Sequence, residues 1–212
     1  MSIDPKTLIT ELCSQFYQLG WVSGTGGGIS IRHGDRTYVP PSGVQKERIN
    51  PDDVFVLDDS GNSILEQPAN CSLKCSECLP LFRVIYSERK AGAVIHNHSI
   101  YANLVTSINE GEYFEIQNQE MIKGIKRGST NTSFKYNDTL LVPIIDNTLY
   151  EKDLTYGLEV AIKRNPDTNA VLVRNHGVYV WGESWESAKT MAECYDYLFR
   201  LKCEAYRMGL AL

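Results

Sequence analysis

Apolar and polar positions along the chain alternate between two periods, and each change of period marks a change of element. Leu8, Leu12, Phe16 and Leu19 recur at helical spacing after Asp4 and Pro5, an N-cap acceptor followed by proline at the first helical position, and Gly20 closes the run. Short, β-branched or alternating stretches predict strands over Arg36–Pro40, Val54–Leu57, Ala91–His96, Tyr113–Ile116, Leu140–Ile145, Val171–Arg174 and Val178–Trp181. Pro143 moves the fifth of these toward a sheet edge or a bulge. Helical spacing returns over Pro80–Lys90, over Ile100–Ser107 with Ser99 as its cap, and over Tyr150–Arg164. The last and longest helix, Glu183–Met208, carries an apolar stripe of Trp185, Ala188, Ala192, Tyr195 and Leu198, which reads as core or subunit contact. Helices alternating with short strands, with no repeat and no linker, predict one layered α/β domain over 1–212; strand order does not follow from periodicity.

Composition narrows the function. At 212 residues, with 42% hydrophobic and 22% charged positions, the chain can bury a sizeable core. A net charge of -5 lacks the basic footprint of a nucleic-acid binder, and a small anionic substrate would have to be held by local donors. No apolar run approaches membrane-spanning length, and the amino terminus has no basic segment followed by an apolar one. Six cysteines in such a chain read as thiols, and the expected compartment is the cytoplasm.

The candidate chemistry centres on AGAVIHNHS, Ala91–Ser99. Strand side chains alternate faces, so His96 and His98 point the same way and Asn97 the other. Two imidazoles at one strand end form half of a zinc site, and a catalytic zinc takes three protein ligands. An isolated pair of this kind is equally often a plain surface or core pair. Only four histidines are present, however, and His176 lies in a second apolar stretch, with Gly177 after it to permit close approach. His33, in a polar turn, is the weaker candidate, so the ligand set expected from spacing is His96, His98 and His176.

Three other stretches carry chemistry or punctuation. Trp21–Ser30 has glycine at four of the five positions 24–28 and matches neither nucleotide loop, since no Gly-Lys-Ser/Thr follows and Ile29 stands where a third fingerprint glycine would fall. It is either an amide nest for phosphate, with Ser23, Thr25, Gly26, Gly27 and Ser30, or a flexible turn. Ser42-Gly43 is a second candidate phosphate turn, and Lys46 just beyond it is either a further phosphate contact or, in the plain reading, a solvated lysine. Cys71, Cys75 and Cys78 have a spacing used for iron–sulfur clusters; the alternatives are loop thiols, or Cys78 alone facing the site.

Taken together, HNH at 96–98, RNHGVYVWG, GTGGGIS, PSGVQKERI and NQEMIKGI resemble the class II aldolase/adducin family over nearly the whole chain. The resemblance implies a three-layer α/β/α fold around a mainly antiparallel sheet, and a homotetramer with sites near subunit boundaries. It implies one Zn2+ per subunit on the three histidines, Glu120 as acid/base, Cys78 as a substrate contact and a phosphorylated keto-sugar as substrate. Lys123, beside Glu120, joins the candidate phosphate contacts. Within the family, aldolases carry a glutamate before the helix that leads to HxH. Aligning the Pro80–Lys90 helix places Cys78 there, with Glu77 one residue off and facing elsewhere, which favours a hydro-lyase of methionine salvage over an aldolase. An adducin-like binding module remains the non-enzymatic alternative.

Overall fold

The computed structural model describes residues 4–212, so the leaderless reading of the amino terminus lies partly outside the described residues. Helix α1 (Pro5–Gln18) starts as its sequence dictates, with Asp4 accepting from the Thr7 amide at 3.0 Å. Leu8, Ile9, Leu12, Cys13 and Phe16 are buried, whereas Leu19 caps the helix end and is exposed. Strand β1 (Gly28–His33) follows, then β2 (Arg36–Val39), β3 (Pro41–Ser42), β4 (Phe55–Asp58), β5 (Ile64–Glu66) and β6 (Lys74–Cys75). Next come α2 (Leu79–Glu88), β7 (Ala93–Asn97), α3 (Ile100–Ser107), β8 (Tyr113–Ile116) and β9 (Leu140–Ile145). The chain ends with α4 (Thr155–Arg164), β10 (Ala170–Val173), β11 (Gly177–Gly182) and α5 (Trp185–Arg207). Ser99 and Ser184 cap α3 and α5 with their side chains.

Nine strands form one sheet in the order β5-β4-β2-β1-β7-β11-β10-β9-β8, while β3 and β6 pair separately. Every neighbouring pair in the large sheet is antiparallel except β9 with β10. Helices α1, α3 and α5 pack on one face, and α2 and α4 on the other, each over its own apolar cluster. The arrangement is the three-layer α/β/α fold around a mainly antiparallel sheet that the resemblance implied. Among the described residues no helix is long and apolar enough to cross a membrane, and all six cysteines are free thiols.

Three elements differ from the sequence expectation. Gly28, Ile29 and Ser30 belong to β1, although the glycine run argued against a strand. Pairing with β2 on one side and β7 on the other, with Ile29 and Ile31 buried, overrides the poor local propensity. Pro143 lies one strand in from the edge, where registered pairing with β10 begins only at Ile144, so the missing N–H leaves no gap in the ladder. The segment expected as one helix from Tyr150 opens instead as a 3-10 turn, Glu151–Leu154, before α4.

Candidate metal centre and its cleft

Strand β7 is the middle strand of the nine, and all five of its residues are buried. It therefore reads as a continuous apolar run, as expected for a strand covered on both faces. Alternation sends Val94 and His96 toward the layer of α2 and α4, and Ala93 and Ile95 toward the other helices. His98 lies just past the strand, with its amide donating to the Trp21 carbonyl at 2.8 Å. His176 arrives from the turn between β10 and β11, where Asn175 adopts φ 54°, a left-handed conformation that asparagine tolerates. Gly177 next to it lets β11 approach β7, since a Cβ there would sit 2.1 Å from the Asn97 carbonyl oxygen. The three rings meet with centroids 4.6, 4.7 and 5.1 Å apart.

The donor chemistry tests whether a metal fits. His96 Nδ1 lies 3.2 Å from the Val178 carbonyl and His176 Nδ1 lies 3.2 Å from Asn147 Oδ1. Both oxygens only accept, so both Nδ1 atoms carry hydrogen and both Nε2 atoms present lone pairs. His98 Nε2 lies 2.9 Å from one of these and 3.0 Å from the other, and it has at most one proton to share. At least one contact is therefore lone pair against lone pair, an arrangement that a bound cation satisfies. Burial holds His96 well below the usual histidine pKa, and burial, then His176 and Lys46, lowers His98 to about 4. Neutral imidazoles are the metal-binding form. The three residues fit a divalent metal, as the spacing predicted.

Beside the rings lies a cleft of about 300 Å³, and its walls include Gly26, Gly27, Ser42, Gly43 and Cys78 from the expected substrate contacts, together with Thr25. Gly26 also makes room for a ligand, because a Cβ there would lie 2.5 Å from His98 Cε1 and Nδ1. Ser23 is exposed and outside the cleft. The Ser30 hydroxyl is buried and accepts from Tyr86 at 2.9 Å, which removes it from the phosphate nest. Glu77, expected to face elsewhere, stands on the cleft wall, although it is Cys78 that reaches inward. Cys71 is exposed and does not converge with Cys75 and Cys78 into a ligand group among the described residues, which leaves the iron–sulfur reading without a cluster site.

Glu120 and Lys123 are not brought to the histidines. They lie on an exposed 3-10 turn, Glu120–Gly124, and pair with each other at 2.6 Å, with side chains 76% and 53% exposed.

Two residues at the centre, Tyr179 and Glu151, escaped the sequence, and a third, Lys46, departs from its plain reading. Lys46 is not solvated: it is 2% exposed, lines the cleft, and donates to the Thr25 and Val44 carbonyls at 2.9 and 3.3 Å. Burial lowers its pKa against the opposing pull of Cys13, Cys78 and Glu47. Tyr179 stacks on His96 at 4.0 Å and donates its hydroxyl to Glu151. A tyrosine inside an apolar strand needs a partner for its hydroxyl, and that was the available signal. Glu151, at the start of the 3-10 turn before α4, approaches His96, His176, Cys78 and Tyr179. Burial, then Glu151, pushes the Cys78 thiol up to about 12, and burial, then Cys78 and Glu151, raises Tyr179 well above its ordinary value. Both therefore stay protonated donors toward the carboxylate.

Comparison with known proteins gives the family and the fold. The profile of the class II aldolase and adducin N-terminal domain matches residues 7–203. The methylthioribulose-1-phosphate dehydratase of Osmerus mordax is 56% identical over 206 residues, covering 97% of this chain and 86% of the relative. That of Mus musculus is 55% identical over 206 residues with the same shares covered. Among solved structures, an L-fuculose 1-phosphate aldolase superposes with a TM-score of 0.77 at 20% identity, covering 100% of this chain and 91% of that one, a likeness of fold. The chain thus belongs to the class II aldolase and adducin N-terminal domain family.

Proposed function

We propose that this chain is a cytoplasmic zinc hydro-lyase, working as a homotetramer in methionine salvage. Its substrate is 5-methylthioribulose 1-phosphate and its product 2,3-diketo-5-methylthiopentyl 1-phosphate. The reading is carried by the lone-pair cluster of His96, His98 and His176 in a chain that is 55–56% identical, over 97% of its length, to relatives named for that dehydratase.

The substrate has a ketone at C2 and hydroxyls at C3 and C4. A base removes the C3 proton, the C4 hydroxyl leaves as water, and the resulting enol becomes the 2,3-diketone. His96, His98 and His176 would hold the zinc, which when bound would supply Lewis-acid stabilisation of the charge developing on the substrate oxygens. Glu120 takes the C3 proton and returns a proton to the departing hydroxyl. Its exposure and its absence from its own chain's cleft walls support a role in the cleft of a neighbouring copy, with Lys123 beside it. Gly26, Gly27, Ser42 and Gly43 offer amides, and Lys46 a buried ammonium, for the phosphate. Cys78 contacts the substrate as a neutral thiol.

Product analysis by NMR with zinc-loaded protein tests the reading. A diketo phosphate retaining every substrate carbon is expected. A three-carbon keto phosphate with a methylthio aldehyde would mean aldol cleavage instead, and unchanged substrate would overturn both reactions.

A further inference from the structure

His98 and His176 meet outside the sheet. The last registered pair of β7 with β11 is Asn97 with Val178, so both histidines lie beyond the ladder, on the turns that continue it. Their Nε2 atoms nonetheless stand 3.0 Å apart. A metal centre needs its ligands held to within about 0.5 Å, and strand pairing does not reach that far along either turn.

Helix α3 touches both turns. At its amino end Ser99, the residue after His98, is the cap. Its hydroxyl accepts from the Tyr101 amide at 3.2 Å and donates to Asp196 Oδ1 on α5, and its amide donates to Asn97 Oδ1 at 3.2 Å. At the carboxyl end, Arg174 and Asn175, the two residues before His176, are both fastened to the helix. The Arg174 guanidinium donates to the carbonyls of Thr106, Asn109 and Gly111 at 2.9, 2.8 and 3.0 Å. These oxygens lie at and just past the helix end, where carbonyls lack helical partners and the dipole favours a cation. The buried Thr106 hydroxyl donates to the Asn103 carbonyl at 2.7 Å and accepts from the Asn175 amide at 2.9 Å. Ser107 donates to Asn175 Oδ1 at 2.6 Å. The left-handed backbone of Asn175 is thus fixed through its amide and its side chain, as such a conformation requires.

The β10–β11 hairpin has its own closing pair, Val173 with Gly177, so it does not need α3 in order to form. What the helix adds is the direction of the turn that carries His176. We propose that α3, a rigid span of about 12 Å, is a strut that sets His176 against His98, and that Thr106, Ser107 and Arg174 are positioning residues of the metal centre. The inference rests on the three-histidine centre argued above, but not on the identity of the substrate.

The test is zinc affinity of the full-length chain, measured by competition with a chromophoric chelator, beside the visible spectrum after cobalt(II) substitution. Thr106→Val keeps the shape and removes the acceptor for the Asn175 amide, whereas Thr106→Ser keeps the hydroxyl. Zinc affinity is expected to fall about tenfold in Thr106→Val, with cobalt bands changed in position and intensity, and to stay near wild type in Thr106→Ser. Arg174→Met is expected to lose ten- to hundredfold. Ser107→Ala, at an exposed position where folding is safe, should lose about threefold, as for one neutral hydrogen bond. Circular dichroism and denaturant midpoints of the metal-free variants report the fold. Lower midpoints with wild-type affinity and spectrum would overturn the proposal, because the attachments would then serve the fold alone. Equal losses in Thr106→Val and Thr106→Ser would deny the hydroxyl its part and overturn it as well. A wild-type chain that takes up no metal would overturn the three-histidine centre, and the strut with it, a failure visible before any variant is made.

Discussion

Two parts of the molecule each offer a glutamate and a lysine, and they treat them in opposite ways. On the exposed turn, Glu120 and Lys123 pair with each other at 2.6 Å, with water around both. Such a pair contributes roughly 0–1 kcal/mol and is easily broken. In the cleft, Glu151 and Lys46 are withdrawn from water and are not paired. Glu151 faces imidazole lone pairs, and Lys46 has only carbonyl partners. A buried charge without a counter-charge is costly. On the proposed function each faces a ligand of opposite sign, a divalent cation near Glu151 and the substrate phosphate near Lys46, which would offset that cost. The comparison teaches that the cleft is organised for charged ligands by one chain, whereas the turn is merely presented to its surroundings.

The largest effects should separate the two regions cleanly. His96→Ala is expected to abolish metal binding and turnover together. Glu120→Gln should retain metal and fold yet lower kcat by about 10²–10⁴-fold, the usual contribution of a general acid–base group. Metal analysis beside steady-state kinetics reads both. If Glu120 serves a neighbour's cleft, refolding a mixture of the two inactive variants should restore activity at about a quarter of the sites, because some pairs of copies bring intact histidines to an intact glutamate. Full turnover in Glu120→Gln would remove its role. No recovery in the mixture would place it in its own chain's cleft.

A pH experiment sharpens the cleft side alone. In the metal-free chain His98 has its pKa lowered to about 4, against an ordinary value near 6.5. Between these values the unfolded chain binds the proton and the folded chain does not, so stability rises with pH across this window. It should be fully present above about pH 6.5 and lost progressively as pH falls toward 4, by about 3 kcal/mol for His98 alone. Denaturant midpoints across that range measure it. His98→Gln should flatten the profile, and an equally steep profile in that variant would move the effect to other groups.

Gly26→Ala probes how closely the glycine loop fits a ligand. The added Cβ would lie 2.5 Å from the His98 ring, so ring or loop must move. A ten- to hundredfold loss of zinc affinity is expected, of the order seen when the support of a metal ligand is disturbed. Chelator competition reads the change, and wild-type affinity would show that the loop yields freely.

These contrasts also explain what the sequence made legible. His96, His98 and His176 could be found because strand alternation and a following glycine constrain direction locally. The caps at Asp4 and Ser99 are equally local. Strand β1 was hidden because the stretch that opens it, Gly28 after a run of glycines, becomes a strand only through pairing with β2 and β7, a non-local fact. Glu151 was hidden for a different reason: a glutamate in the first turn of a helical segment has an ordinary role beside the helix dipole. Only the packing of the segment before α4 against β7 and β11 brings it to the histidines. Lys46 was legible as a candidate phosphate contact, but its burial was not, since a lysine after a Ser-Gly turn is solvated unless the tertiary fold closes over it.

The two lysines give the smallest and most selective contrast. Lys46→Met removes a buried ammonium and leaves a chain of similar volume. If Lys46 holds the substrate phosphate, KM should rise about tenfold, as for loss of one hydrogen bond to a charged group. Conformational stability should stay level or increase, because an unpaired buried charge has been replaced by an apolar end. Lys123→Met should leave stability within about 0.5 kcal/mol, as for most surface changes. Its KM then distinguishes a phosphate contact in a neighbouring cleft from a surface charge that only accompanies Glu120. An unchanged KM in Lys46→Met would deny the buried lysine its anion, and the cost of its burial would then need another account.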